Sequence, residues 1–258
     1  MYVIFNKEGF RLIRGLYTSA SGMVSSMDKS DTISNNLANL NTTGYKKQET
    51  IESEFGKEVL KRIDHERTTI GEIGSGAFVS DIADDFSAGE YEETGNPLDL
   101  AISGEGFFAV QTPEGVKYTR NGEFTIDNQN QIVTQDGHPV LGENGALQLP
   151  EQGEVVIEDN NVLVDGFELD TLELVNFENP EGLIREGDVL FTAGPEVGEE
   201  FAAEGLVEQG FLEGANVNPI EEMTRMIENT RAYEADQKAI QAHDDTLDAA
   251  INRVGRTR

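Results

Sequence analysis

The chain has 258 residues, with 49 acidic against 19 basic side chains, 27 glycines, no cysteine and no tryptophan. Without cysteine there is no disulfide framework, thiolate catalysis or cysteine-ligated metal centre, and a formal charge of −30 opposes nucleic-acid binding through a basic surface. No run approaches the ~20 apolar residues of a membrane span, and residues 1–15 are too interrupted by Lys7, Glu8, Arg11 and Arg14 for a secretory hydrophobic region. The protein either stays inside or leaves by a route that reads no cleavable signal.

In chain order, Leu16, Ala20, Met23, Met27, Ile33, Leu37 and Leu40 fall one or two turns apart and predict an amphipathic N-terminal helix. Serines at 19, 21, 25, 26, 30 and 34 lower its intrinsic helicity but permit close approach of a neighbouring backbone. A shorter pattern, Ile51, Phe55, Val59 and Ile63, suggests a second helix leading out of this region, with Gly56 as its weak point.

The period then changes from 3.6 to 2. Short β-type runs follow at 98–102, 107–110, 116–119, 124–126, 131–133, 154–157, 162–164 and 172–175. Turn signals at Pro113-Glu-Gly115, Asn121-Gly122, Asp136-Gly137, Asn144-Gly145 and Asp165-Gly166 separate many of them. These runs predict an all-β domain of many short strands, each with one apolar and one acidic face.

Asn218-Pro219-Ile220-Glu221 then reads as a helix start, with an N-cap residue, a proline where a missing N–H costs nothing, and a capping glutamate. From it runs the seven-residue series Met226, Tyr233, Ile240, Leu247 and Val254, interleaved with Met223, Thr230, Gln237, Asp244 and Ile251. A helix over 219–254 is roughly 50 Å long and needs a partner helix. Its half-polar seam predicts order only inside a larger assembly.

Charge follows this division. Residues 1–67 hold 10 basic and 9 acidic side chains, 68–218 hold 3 and 32, and 219–258 hold 6 and 8. A middle of that density faces solvent, whereas the near-neutral ends can pack together or against other copies. Adaptation to high salt explains the acidity most simply; a cation store is not supported, since residues 127–132 lack the glycine of a calcium loop.

Catalytic constellations are missing. His65, His138 and His243 lie far apart in different predicted elements and read as surface residues, and His65-Glu-Arg-Thr-Thr69 lacks the second histidine of a zinc-protease motif. Gly104-Glu-Gly106 lacks the third glycine of a dinucleotide site, leaving backbone geometry as its role. Tyr91, Tyr118, Phe107 and Phe108 fit either an open carbohydrate-binding face or core and hairpin packing. No cofactor, metal or small-molecule substrate is expected.

Three stretches resemble the bacterial flagellar rod and hook proteins. They are Arg14-Gly-Leu-Tyr-Thr-Ser-Ala-Ser-Gly-Met23 with Ser34-Asn-Asn-Leu-Ala-Asn-Leu-Asn-Thr-Thr-Gly-Tyr-Lys-Lys47; Leu98-Asp-Leu-Ala-Ile-Ser-Gly-Glu-Gly-Phe-Phe108 with Tyr118-Thr-Arg-Asn-Gly-Glu-Phe124; and Gly214-Ala-Asn-Val-Asn218 with Met223, Met226-Ile227, Arg231-Ala-Tyr-Glu234 and Lys238-Ala-Ile240. Asn35, Asn36, Leu37, Ala38, Asn39, Asn41, Gly44 and Tyr45 carry the N-terminal motif. Within the family, the chain looks most like the proximal rod members, with the distal rod members next; hook proteins usually carry a larger outer domain.

The resemblance implies an α+β fold in which the terminal helices pair as a coiled coil around a central all-β domain. It divides the chain into an N-terminal axial helix (12–44), a connecting helix and linker (45–97), an acidic outer β-domain (98–204), a linker (205–218) and a C-terminal axial helix (219–258). Residues 1–11 precede the family's usual start and are expected to be an upstream misread, with Leu12 as the initiating position. The implied function is a structural rod subunit in the basal body, passed unfolded through the flagellar export apparatus and assembled helically with copies of itself and other axial proteins. Leu16, Met23, Met27, Leu37, Met226, Tyr233, Ile240, Leu247, Ile251 and Val254 are the expected assembly contacts. A secreted, halophilic carbohydrate-binding or hydrolytic β-protein is the alternative of another class.

Overall fold

The computed structural model describes residues 7–54, 57–61, 69–74, 76–150, 153–158 and 160–254, of which 7–14, 57–61, 69–74, 250, 251, 253 and 254 by their backbone alone. Most of the segment read as a misread start, and the side chains of Ile251 and Val254, lie outside that description. The architecture is α+β, with a long helix near each end, α1 (Lys7–Ala38) and α2 (Pro219–Val254), and short strands between them. Two compact units result. The helical unit takes most of α1, all of α2 and the strands within 48–83; the acidic unit takes 36–47 and 84–218.

In the helical unit, α1 absorbs its hydroxyl residues by bonding them back one turn: Ser21 Oγ donates to Thr18 O at 2.9 Å, Thr32 Oγ1 to Asp28 O at 3.1 Å, and Ser34 Oγ to Ser30 O at 2.6 Å. α2 opens on Pro219, with Glu221 and Glu222 at the positive end of its dipole. Arg225 closes an i,i+4 pair with Glu221 at 2.6 Å.

Among the described residues there is no connecting helix; Phe55, Gly56 and Ile63 of the expected one lie outside them. Lys47–Glu54 pairs instead with Ala77–Asp85, and Lys57–Lys61 with Thr69–Gly74. A spacing of four, as in Ile51, Phe55, Val59 and Ile63, keeps residues on one face of a strand as well as of a helix, so it cannot tell the two apart. The expected linker at 205–218 likewise contains strands: Leu206–Gln209 pairs with Leu100–Ser103, and Phe211–Glu213 with Tyr91–Glu93.

The acidic unit is built on a six-stranded antiparallel sheet, in the order Leu183–Glu186, Leu190–Ala193, Gly115–Thr119, Phe107–Thr112, Leu174–Phe177 and Glu200–Ala202. Its central strands are not apolar on one face only. Phe108 and Val110 enter one cluster with Leu100, Phe124, Ile132, Leu147 and Leu174, while Phe107 and Ala109 enter another with Tyr118, Val175, Phe177 and Phe191. Burial on both faces excludes carboxylates from the middle of the sheet, so they collect on turns and edges such as Glu200–Ala202, which is exposed throughout.

Aromatic rings lock the two clusters at edge-to-face angles. Centroids are 5.2 Å apart for Phe108 and Phe124, 5.3 Å for Phe86 and Phe107, and 4.8 Å for Tyr118 and Phe177. At the hairpin turn Asp165-Gly166 both residues have positive φ, 52° and 80°, the geometry of a type I′ turn. Gly122 serves differently from the turn expected of it: a methyl there would come 1.6 Å from Leu100 O, so its role is close backbone approach.

Candidate functional site

The helical unit brings α1 and α2 together in opposite chain directions. Asn229 Nδ2 donates to Ser26 O at 2.6 Å and to Ser30 Oγ at 2.7 Å. A methyl on Gly22 would come 2.6 Å from Asp236 Oδ2, and one on Gly15 would come 2.4 Å from His243 Nε2. Small residues of α1 thus receive polar side chains of α2 at positions 229, 236 and 243, seven apart. The helices approach closely only because glycine and serine leave room.

Along one line of the expected seam, Met226, Tyr233, Ile240 and Leu247 are half-buried. The other is displaced by one residue. Met223, Thr230, Gln237 and Asp244 are exposed, and Glu222, Asn229, Asp236 and His243 take the inward positions. His243, read as a surface residue, is half-buried against Gly15. Hydrophobicity alone could not find this line; the shared spacing of seven between Gly15 and Gly22, and among 229, 236 and 243, was the available signal.

On α1, Leu16, Met23 and Leu37 are half-buried, but Met27 faces solvent. The inward positions belong to Ser19, Ser25, Ser26, Thr32 and Ile33. The strand Lys47–Glu54 adds polar contacts: Glu52 accepts from Ser25 Oγ at 2.6 Å and pairs with Lys29 at 2.9 Å, and these two donors hold its carboxyl below the ordinary range. Arg225 reaches Glu49 at 3.3 Å. A cleft of about 450 Å³ lies between the helices and this strand, lined by Lys29, Ile33, Glu52, Arg225 and Asn229 among others.

Outside that seam both helices show large apolar side chains to solvent. Tyr17, Val24 and Met27 on α1 are 68, 57 and 56 % exposed; Ile220, Met223 and Ile227 on α2 are 76, 56 and 54 % exposed. Each set falls on one side of its helix, at spacings of seven and three on α1 and three and four on α2. Of these six, Met27 is an expected assembly contact, Met223 an expected seam position, and Met223 and Ile227 belong to the C-terminal motif.

From Asn36 on, the N-terminal motif lies in the acidic unit. Asn36 and Tyr45 are buried, and Tyr45 Oη donates to Asn36 Oδ1 at 3.1 Å. Gly44 takes a φ of +69°, and a methyl there would come 2.3 Å from Asn121 N. Asn35, Ala38 and Asn41 are exposed, Leu37 and Asn39 half-buried. Arg185 lies over the Tyr45 ring at 4.7 Å and over Phe191 at 5.0 Å while its Nε donates to Asp84 Oδ1 at 2.8 Å.

Beside the motif, Lys46 and Glu213 form a buried pair at 2.6 Å, each 1 % exposed, and Arg120 reaches the second Glu213 oxygen at 3.4 Å. Burial draws Lys46 and Arg120 below their ordinary ranges, with Glu213 opposing the shift. Lys117, Arg120 and Arg185 are the only basic residues in 68–218, and all three are engaged in ion pairs with carboxylates of the acidic unit.

Phe107, Phe108 and Tyr118 are core residues and form no open aromatic face, and Tyr91 Oη donates to Ile102 O at 2.8 Å. Gly104 and Gly106 hold φ of 113° and 132° in a tight connection. Among the described residues there is no group of three metal-ligating side chains and no helix long and apolar enough to cross a membrane.

Three known families match successive parts of the chain: Flagella basal body rod protein over 16–46, Flagellar hook protein FlgE/F/G D1 domain over 101–179, and Flagellar basal body rod FlgEFG protein C-terminal over 208–253. Flagellar basal-body rod protein FlgG of Borreliella burgdorferi is 35 % identical over 267 residues, covering 93 % of this chain and 98 % of that protein. FlgG of Bacillus subtilis is 33 % identical, covering 93 and 99 %, and FlgF of Caulobacter vibrioides is 30 % identical, covering 93 and 98 %.

Proposed function

The chain belongs to the flagellar basal-body rod protein family and is a structural subunit of the rod, and from that premise we propose that α1 and α2 pair as an antiparallel coiled coil whose outer apolar stripes join neighbouring subunits. The observation that carries this reading is the solvent-facing set Tyr17, Val24 and Met27 with Ile220, Met223 and Ile227. Six large apolar side chains on two helices with a polar seam are costly in water and are covered when a neighbour docks. Repetition of one heterologous contact builds a helical tube.

In this reading the subunit meets copies of itself and other flagellar axial proteins at the basal body, after passage through the export apparatus. The lack of disulfides suits export of an unfolded chain. The half-buried Leu16, Met23, Met226, Tyr233, Ile240 and Leu247 hold the pair together; Ile251 and Val254 continue its heptads in sequence. The relatives carry both rod names, and the assignment is to the family as a whole.

Val24→Asp and Ile227→Asp test the stripes. Both positions are exposed, so each variant keeps the monomer's stability within about 0.5 kcal/mol, while purified basal bodies lack complete rods and cells do not swim. Complete rods in both variants would sink the proposal. Leu247→Asp tests the seam in the same way, with the acidic unit expected to stay folded.

A further inference from the structure

Glu213 is the meeting point of four stretches of the acidic unit. Its Oε1 accepts from Lys46 Nζ at 2.6 Å and from the Gly89 amide at 2.9 Å, its Oε2 accepts from Arg120 Nη1 at 3.4 Å, and its carbonyl accepts from the Gly44 amide at 2.7 Å. Lys46 Nζ also donates to Ser87 O at 2.7 Å. Three residues on, Asn216 repeats the stitch: its Oδ1 accepts from the Lys47 amide at 2.7 Å, its own amide donates to Tyr45 O at 3.4 Å, and its Nδ2 donates to Asp85 O at 2.7 Å.

Two buried cations share this one carboxylate. Lys46 is 1 % and Arg120 4 % exposed, Arg120 is further supported by Gly104 O at 3.0 Å and the Phe107 ring at 5.3 Å, and its Nε has no hydrogen-bond partner. A charge so placed is tolerable only with its counter-charge present. The carboxylate comes from the last strand of the unit, Phe211–Glu213, about 170 residues after the segment whose lysine it neutralises.

We propose that Glu213 is a closing latch: residues 36–47 take their seat only once the strand Phe211–Glu213 is in place, so both chain ends of the acidic unit lock in a single late step. The central hairpin, Phe107–Thr112 with Gly115–Thr119, joined by a two-residue turn, is local and needs neither end. The segment that ends α1 and the segment that leads in the chain to α2 are therefore fastened to each other by one side chain, and neither is fixed until both have been delivered. The latch concerns folding within the acidic unit and stands apart from the subunit contacts proposed above.

Refolding of the full chain from urea, with pulsed hydrogen exchange read amide by amide, tests the order. The Gly44 and Lys47 amides are expected to gain protection in the same phase as Gly214, whose amide donates to Glu90 O at 2.8 Å, and later than 107–119. Protection of Gly44 and Lys47 together with or before 107–119 overturns the proposal.

The native state of variants gives a second readout. Glu213→Gln, which leaves both cations unneutralised, should speed exchange at Gly44 and Lys47 on the order of 100-fold or more while 107–119 holds. Lys46→Met, which leaves the Arg120–Glu213 pair, should do less, and adding Lys46→Met to Glu213→Gln should restore part of the loss. Equal acceleration throughout the unit, no acceleration at Gly44, or Lys46→Met proving the worse variant contradicts the latch.

Discussion

The two units achieve order by opposite means. Among the described residues, Ile33 is the one buried apolar residue of the core that belongs to the helical unit; every other lies in the acidic unit. The helical unit instead buries serines, a threonine, Asn229 and Glu222, and turns Tyr17, Val24, Met27, Ile220, Met223 and Ile227 to water. The acidic unit inverts this, with phenylalanines inside and 30 carboxylates against five basic side chains over 36–47 and 84–218. One unit buries large apolar side chains in its core, and the other leaves several of its own open to solvent.

The strongest way to break that contrast is to hollow the acidic unit. Phe108→Ala removes a fully buried ring from contact with Phe124 and should cost about 3–5 kcal/mol in urea unfolding followed by tyrosine fluorescence. Exchange in α1 and α2 should not change. Next in size, Gly22→Leu fills the notch that receives Asp236 and should cost the helix pairing about 1–3 kcal/mol through overpacking. Circular dichroism should show loss of the helical transition while the β transition stays in place.

Asn229→Ala is gentler. It removes two hydrogen bonds to α1 and should cost about 1–2 kcal/mol of helical-unit stability, read from the same melting curves. The smallest effect belongs to Glu173, whose carboxyl is pushed up by burial and by the neighbouring Glu200 and Glu143. A raised folded-state value means that ionised Glu173 opposes folding above that value and that the opposition fades as pH falls and the carboxyl protonates. Glu173→Gln should therefore raise Tm slightly at pH 7, with the gain vanishing below the ordinary carboxylate range.

Legibility in the sequence followed how unambiguous each period was. α2 was readable because Asn218-Pro219 marks its start and no proline or glycine interrupts it before Gly255. The hairpin from Phe107 to Thr119 was readable from β-rich runs around Pro113-Glu-Gly115. Strands at 47–54 and 57–61 were misread because Ile51, Phe55 and Val59 stand four apart, a spacing common to both periods.

The inward line of α2 was missed for a different reason. Asn229, Asp236 and His243 are polar, and their burial depends on glycines and serines some 200 residues earlier, which no local pattern encodes. Distance likewise hid the contacts of the N-terminal motif. Lys46 and Glu213 look like ordinary charges until the fold places them 2.6 Å apart.

Hydrogen exchange by mass spectrometry on the purified monomer tests the contrast most directly. The account predicts fast exchange over 16–35 and 219–247, where helices carry a polar seam and bare apolar stripes, beside slow exchange over 107–119, 174–177 and 190–193. Comparable protection in both units would contradict it, because the helical unit would then be as stable without a neighbour as the acidic unit.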